Sequence, residues 1–388
     1  MSFRSWTDVR GHTAQIGVLR RICASQQPAH AYLFEGPDGV GKRVVAWALA
    51  ARLTCEAPND VSGACGACRS CHALQRGEHP DLTLLERDGV SIRIGQVRDA
   101  LKPLRFEPVL GRAKVLIVDE ADTLREEAAN ALLKTLEEPP SRTHFILVTA
   151  RSQLLLGTIR SRSQTVRFGD LDSADIEAVL IAEGADPSLV AMAAPLAEGS
   201  VSRARTLCDP KWLAAVDRLT TFILGLGAGD PLRVADAVAG LGRTLEGLTL
   251  HESPDDSPLT ASPTATAAEA KALATAERKG GQPATVKAAP TAVVTQLKGL
   301  DRVGLRWALD VTRTVLRDAM LVGAGVPVHT LPLARHGEAL VALSTRAEPR
   351  AIAAAIDVCL AGEAGLVLNP NARLALEAAW LEIDRLMR

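Results

Sequence analysis

Gly36-Pro37-Asp38-Gly39-Val40-Gly41-Lys42-Arg43 lies between an apolar run, Ala31-Tyr32-Leu33-Phe34, and a helix-like run, Val44 to Ala50. Strand, glycine-rich turn and helix is the context in which a chain wraps phosphate: glycines let backbone N–H groups curl around oxygens, and a helix N-terminus and a lysine add positive potential. Gly36, Gly39, Gly41 and Lys42 therefore mark a nucleotide site. Arg43 does not fit it. A hydrolytic loop carries Ser or Thr there, whose hydroxyl ligates the Mg²⁺ of bound ATP; an arginine has no hydroxyl and brings its own cation. The residues thus predict weak or no hydrolysis and leave ATP binding doubtful.

A second signal lies about 75 residues downstream, in Ala113-Lys114-Val115-Leu116-Ile117-Val118-Asp119-Glu120. Consecutive apolar residues suit a strand buried on both faces of a parallel sheet, and the acidic pair falls at its carboxyl end, where open α/β sheets hold ligands. In an ATPase Asp119 would hold the metal and Glu120 would polarise the attacking water. With Arg43 in place, their carboxylates are expected to pair with Lys42 or Arg43 instead. Thr149 ends the next buried strand, Phe145 to Thr149, with a hydroxyl. Strands and helices alternate to about residue 170, which predicts a parallel, doubly wound sheet. Beyond it helices dominate: one small unit over 171–210, then an all-helical region over 211–388 interrupted by 251–292, whose Ala, Thr, Pro and Ser predict a disordered insertion.

Between the two signals stand Cys55, Cys65, Cys68 and Cys71, spaced C-x9-C-x2-C-x2-C. Four thiolates with C-x2-C turns suit a closed, tetrahedral, structural zinc site, with no position left for a catalytic water. His72 and His79 are nearby alternatives that four cysteines make unnecessary. Cys23, Cys208 and Cys359 read as small core residues. The knuckle spans 55–71 within a first domain of 1–170.

The totals set bounds on function. The 388 residues are 47% hydrophobic but only 3% aromatic, so aliphatic side chains must build the cores. With 44 basic and 45 acidic residues the net charge is −1, against a chain that grips nucleic acid alone and against an unrelated zinc-dependent nucleic-acid module. No apolar run approaches a membrane span and no signal-peptide pattern opens the chain, so the expected location is the cytoplasm.

In this order, the loop, the cysteines, Asn130-Ala131-Leu132-Leu133-Lys134-Thr135-Leu136-Glu137-Glu138-Pro139-Pro140, Ser161-Arg162 and the ending Asn369 to Glu377 resemble the bacterial clamp loader ATPases of the AAA+ superfamily. The resemblance implies an AAA+ α/β domain, a helical lid domain and an all-α collar that joins subunits. It implies gamma/tau and delta partners in a five-membered ring that places a sliding clamp (beta) on primer-template DNA. The departures matter as much. Arg43 replaces the Thr or Ser of the motor subunits, and Gly199-Ser200-Val201-Ser202-Arg203 sets Ser202 where the family's second sensor has an arginine. Ser161-Arg162-Ser163 keeps the arginine of the family's Ser-Arg-Cys. By resemblance Arg162 is an arginine finger offered in trans, in a member that organises the ring without hydrolysing ATP itself.

Overall fold

A computed structural model describes residues 5–25, 28–227, 302–368 and 372–388. The chain divides into two compact units, Met1–Pro210 and Lys211–Arg388. The expected disordered insertion at 251–292 and the family-like Asn369-Pro370-Asn371 lie outside the described residues.

Five strands build the first unit: β1 (Ala31–Glu35), β2 (Leu82–Leu85), β3 (Lys114–Val118), β4 (Thr143–Thr149) and β5 (Gln164–Arg167). All pair in parallel, in the order β2-β3-β4-β1-β5. Helix α1 (Thr13–Ala24) precedes the first strand; parallel neighbours need crossovers, and the helices between strands supply them: α2 (Lys42–Thr54), α3 (Arg69–Arg76), α4 (Ile94–Leu101), α5 (Glu126–Glu137) and α6 (Gly157–Ser161). Side chains alternate across the pleat. Tyr32, Phe34, Val115, Ile117, Ile146 and Val148 pack on one face with Leu19 of α1 and Leu49 of α2. Leu33, Leu116, Val118, Phe145 and Leu147 pack on the other with Val97 of α4, Leu132 and Leu136 of α5 and Ile159 of α6. Burial on both faces is what the unbroken apolar runs predict.

Three short helices complete this unit, α7 (Ser173–Ala182), α8 (Pro187–Leu196) and α9 (Val201–Leu207), around a core of Leu171, Ile176, Leu180, Val190, Ala194, Ala197 and Ala204. The described part of the second unit is helical: α10 (which starts at Pro210 and ends at Leu224), α11 (Arg302–Gly323), α12 (Gly337–Arg346), α13 (Pro349–Leu368) and α14 (Ala372–Leu386). With so few aromatics, three of the five tryptophans serve here. Trp212 meets Trp307 edge-on at 4.8 Å, and the buried Trp380 donates its indole N–H to Thr312 Oγ1 at 3.0 Å. Among the described residues no helix is long and apolar enough to cross a membrane.

Candidate functional site: a phosphate loop closed by its own cations

Gly36 to Gly41 carry the chain from the end of β1 to the start of α2, with Gly41 as the N-cap in a left-handed conformation. Both basic residues of the motif then turn inward. Lys42, only 6% exposed, donates from Nζ to the carbonyls of Gly36 (2.8 Å) and Pro37 (2.5 Å), within the loop it would otherwise lend to phosphate. Arg43, whose side chain is 10% exposed, places Nη1 2.8 Å from Asp119 Oδ2 and 2.6 Å from Glu86 Oε1. Register explains the meeting: Leu85 of β2 pairs with Val118 of β3, so Glu86 and Asp119 leave adjacent strand ends side by side. Arg43 is thus the shared counter-ion of two carboxylates at adjacent strand ends. Its Nε and Nη2 are buried without a hydrogen-bond partner, so this cation sits there at a desolvation cost.

The expectation for the acidic pair is met for Asp119 and corrected for Glu120. Glu120, left-handed at φ 44°, pairs with Arg87 at 2.5 Å, not with Lys42 or Arg43. Its backbone N–H is held by Asp119 Oδ1. Left-handed geometry turns its side chain away from the direction Asp119 takes. Burial pushes the Glu120 carboxyl up, and Arg87 offsets part of that. Thr149 is buried and donates to Asp122 Oδ1 at 2.7 Å, while Arg151 reaches the other oxygen of the same carboxylate.

The segment before α9 lies on the loop. Val201 N–H donates to the Gly39 carbonyl at 2.9 Å, and a Cβ on Gly39 would stand 2.1 Å from Ser200 Oγ and 3.0 Å from Ser202 Cβ. Gly39, at φ +75°, is thus required twice, for its backbone and for this close approach. Arg203 turns to Glu198 at 3.0 Å, and Ser202 takes the place facing Gly39.

Arg162 lies at the C-terminal end of α6. Nη2 is 2.8 Å from Glu137 Oε1 at the end of α5, and Nη1 donates to the Thr158 carbonyl at 3.2 Å. The guanidinium is about one-third exposed.

The four predicted cysteine ligands converge. Their sulfurs all lie within 4.8 Å of one another, with Cys55–Cys68 and Cys65–Cys71 at 3.9 Å and Cys55–Cys71 at 3.7 Å. A tetrahedron of Zn–S bonds near 2.3 Å has edges of about 3.8 Å, so the donor set and its spacing fit zinc. The Cys65 amide points at Cys55 Sγ and the Cys71 amide at Cys68 Sγ, as hydrogen bonds that stabilise thiolates. The Ala67 amide, with that of Cys68, holds the Cys65 thiol down at about 6. Burial pushes Cys55 and Cys71 up, the cost a bound cation would remove. Trp6 braces the cluster: its backbone N–H donates to Ser62 O, and its indole lies where a Cβ on Gly63 (φ +82°) would be. Cys359 is fully buried, whereas Cys23 and Cys208 are only half-buried at the rims of their cores, unlike the core role expected of all three.

Sequence reasoning missed the network that seats this knuckle. Neither histidine is near-tetrahedral company for the sulfurs: His72 is exposed beside Gln75, and His79 is 7% exposed between two partners. Ser70 Oγ donates to Thr54 O, so it accepts from His79 Nε2–H at 2.8 Å, and His79 Nδ1 accepts the Asp81 amide at 3.1 Å. The geometry demands a neutral imidazole, and burial lowers its pKa accordingly. Asp81, with a wholly buried carboxylate, accepts the amides of Val109, Leu110 and Gly111 at 2.7–2.8 Å and lies 3.5 Å from Lys114 Nζ. Burial pushes its carboxyl up, but those amides and Lys114 outweigh it and hold the pKa down. The one available sign was a lysine inside an otherwise apolar strand.

Residues 11–172 match the family described as DNA polymerase III, delta subunit. Over 138 residues the chain is 44% identical to DNA polymerase III subunit delta′ of Pseudomonas aeruginosa, covering 35% of this chain and 42% of that one. Over 166 residues it is 38% identical to the delta′ subunit of Bacillus subtilis, covering 43% and 50%. Residues 11–172 are thus similar to DNA polymerase III delta′ subunits. The chain is also 35% identical over 226 residues to the tau/gamma subunit of Haemophilus influenzae, covering 56% of this chain and 32% of the relative. The chain spans half or less of the length of these curated relatives. Among solved structures, a gamma subunit-related protein from Thermotoga maritima covers 96% of the chain at 16% identity and a TM-score of 0.45.

Proposed function

We propose that the chain is the delta′ subunit of a bacterial clamp loader, a member of the ring that does not turn over ATP in its own site and serves its neighbour's. The observation that carries this reading is Arg43 between Asp119 and Glu86: a fixed cation holds the carboxylates that a motor subunit needs for Mg²⁺. Lys42, folded onto its own loop, and Ser202, in place of a sensor arginine, support it.

In this reading Gly36, Gly39, Gly41, Lys42, Arg43, Asp119, Glu120 and Thr149 are a retired nucleotide site. Residues 1–170 are the AAA+ domain with its zinc knuckle, 171–210 the lid and 211–388 the collar. Cys55, Cys65, Cys68 and Cys71 hold a structural zinc, which when bound ties the end of α2 to α3. Arg162 is the group offered to ATP on an adjacent gamma/tau subunit, where its guanidinium would stabilise charge on the transferring phosphoryl group, an effect worth roughly 10³–10⁵ in rate. The other partners are delta, the beta clamp and primed DNA, met as part of the complex.

The test is DNA-stimulated ATPase of a loader reconstituted with Arg162→Ala, which is expected to fall by orders of magnitude; an unchanged rate would refute the finger. A motor subunit is the second reading, favoured by the longer stretch shared with tau/gamma. Steady ATP turnover by the purified chain would establish it.

A further inference from the structure

Glu137 belongs to the Asn130–Pro140 run that carries the resemblance, yet the resemblance assigns it no role, and it is the carboxylate that meets Arg162. We infer that Glu137 is a positioning residue for Arg162, holding the guanidinium in the pose from which it reaches a neighbour's phosphate; this rests on the reading of Arg162 as a finger. Pro139-Pro140 stops α5 at Glu137, so two successive acids, Glu137 and Glu138, stand at the negative end of the helix dipole. That is an unfavourable place for an anion and a strong attractor for a cation. Arg162 answers it from the adjacent helix. Its Nη2 meets Glu137 Oε1 at 2.8 Å, its Nη1 meets the Thr158 carbonyl at 3.2 Å, and its own amide donates to Ile159 O at 3.2 Å.

These anchors belong to two helices joined by a buried base of Leu132, Leu136 and Ile159, so the fork is referenced to the core and not to a loop. The two side-chain contacts engage two of the five N–H donors of a guanidinium, and the remaining three are left for a phosphate. A half-exposed ion pair adds little to stability, so its removal leaves the fold standing. Its value is orientation. A misplacement near 1 Å can cost about 10²-fold in rate, and a long side chain without its restraint samples several such misplacements.

The experiment uses the complete reconstituted loader and follows DNA-stimulated ATPase with Arg162→Ala, Glu137→Ala, Glu137→Gln and Glu137→Lys in this chain. Arg162→Ala sets the floor. Glu137→Ala is expected to lower kcat about tenfold with KM for ATP within about twofold, since the contact acts on a transition-state interaction. Glu137→Gln, whose amide oxygen still accepts the hydrogen bond, should recover most of the rate, and Glu137→Lys, which repels the guanidinium, should approach the floor. Melting of the variant chains should match the parent. A Glu137→Ala loader at or above the parental rate, beside a slow Arg162→Ala loader, overturns the positioning role and leaves the finger intact. A parental rate in Arg162→Ala overturns the finger, and the inference with it.

Discussion

Replacing Arg43 by threonine restores the hydroxyl of an active loop and removes the cation shared by Asp119 and Glu86. Two effects oppose each other. The variant loses a charge-assisted contact that is 90% shielded on the arginine side, leaving two carboxylates on adjacent strand ends without a counter-ion. Removing one partner of a buried pair costs about 3–5 kcal/mol, and less here because Glu86 is 39% exposed and can rehydrate. Against that, the buried Nε and Nη2, which have no hydrogen-bond partner, are also removed, and each such group costs about 1–3 kcal/mol. The two roughly cancel, so stability should change by no more than about 2 kcal/mol, which for a unit of this size keeps Tm within about 8 °C of the parent. The decisive sign is the metal. In Arg43→Thr the carboxylates and the new hydroxyl form a divalent site. At roughly ten times its Kd, Mg²⁺ with nucleotide should return about 1.4 kcal/mol. Scanning calorimetry of parent and variant, with and without Mg²⁺ and a non-hydrolysable ATP analogue, reads both quantities. A parent stabilised by Mg²⁺-nucleotide as strongly as the variant would refute the view that Arg43 stands in for the metal.

Further expectations concern the rest of the first unit. The purified chain should carry about one zinc, and Cys71→Ser should abolish it, as read by metal analysis; full zinc retention would remove the knuckle assignment. Asp81→Ala orphans three amides and a buried lysine and should destabilise the first unit by about 3–5 kcal/mol in denaturant titration, whereas a solvated loop carboxylate would cost under about 1 kcal/mol. His79 has its pKa lowered by burial, so the unfolded chain binds the proton first: stability from this group is full above about 6.5 and declines as pH falls below it. Comparison with His79→Gln between pH 7.5 and 5 isolates the effect, and equal slopes would contradict it.

Much of this was legible locally. The runs 31–34, 114–118 and 145–149 carry the sheet because strands buried on both faces have no polar alternation to confuse them. Pro139-Pro140 marked the end of α5 within a residue. What the sequence could not convey depended on neighbours distant along the chain. Glu86 joins Arg43 only because β2 lies beside β3 in that register. Glu120 was expected on Lys42 or Arg43 but is turned to Arg87 by a left-handed backbone. Helix α3 was hidden inside the cysteine spacing, too short for its periodicity to register, and the Ser70–His79–Asp81–Lys114 chain joins it to β2 through side chains that no motif connects.

The central claim is that this chain does not run its own phosphate loop. Calorimetric titration of the purified chain with a non-hydrolysable ATP analogue and Mg²⁺, paired with a turnover assay on the same preparation, tests it most directly. The account predicts no measurable turnover, with binding weak or absent. Micromolar affinity together with steady hydrolysis would contradict it.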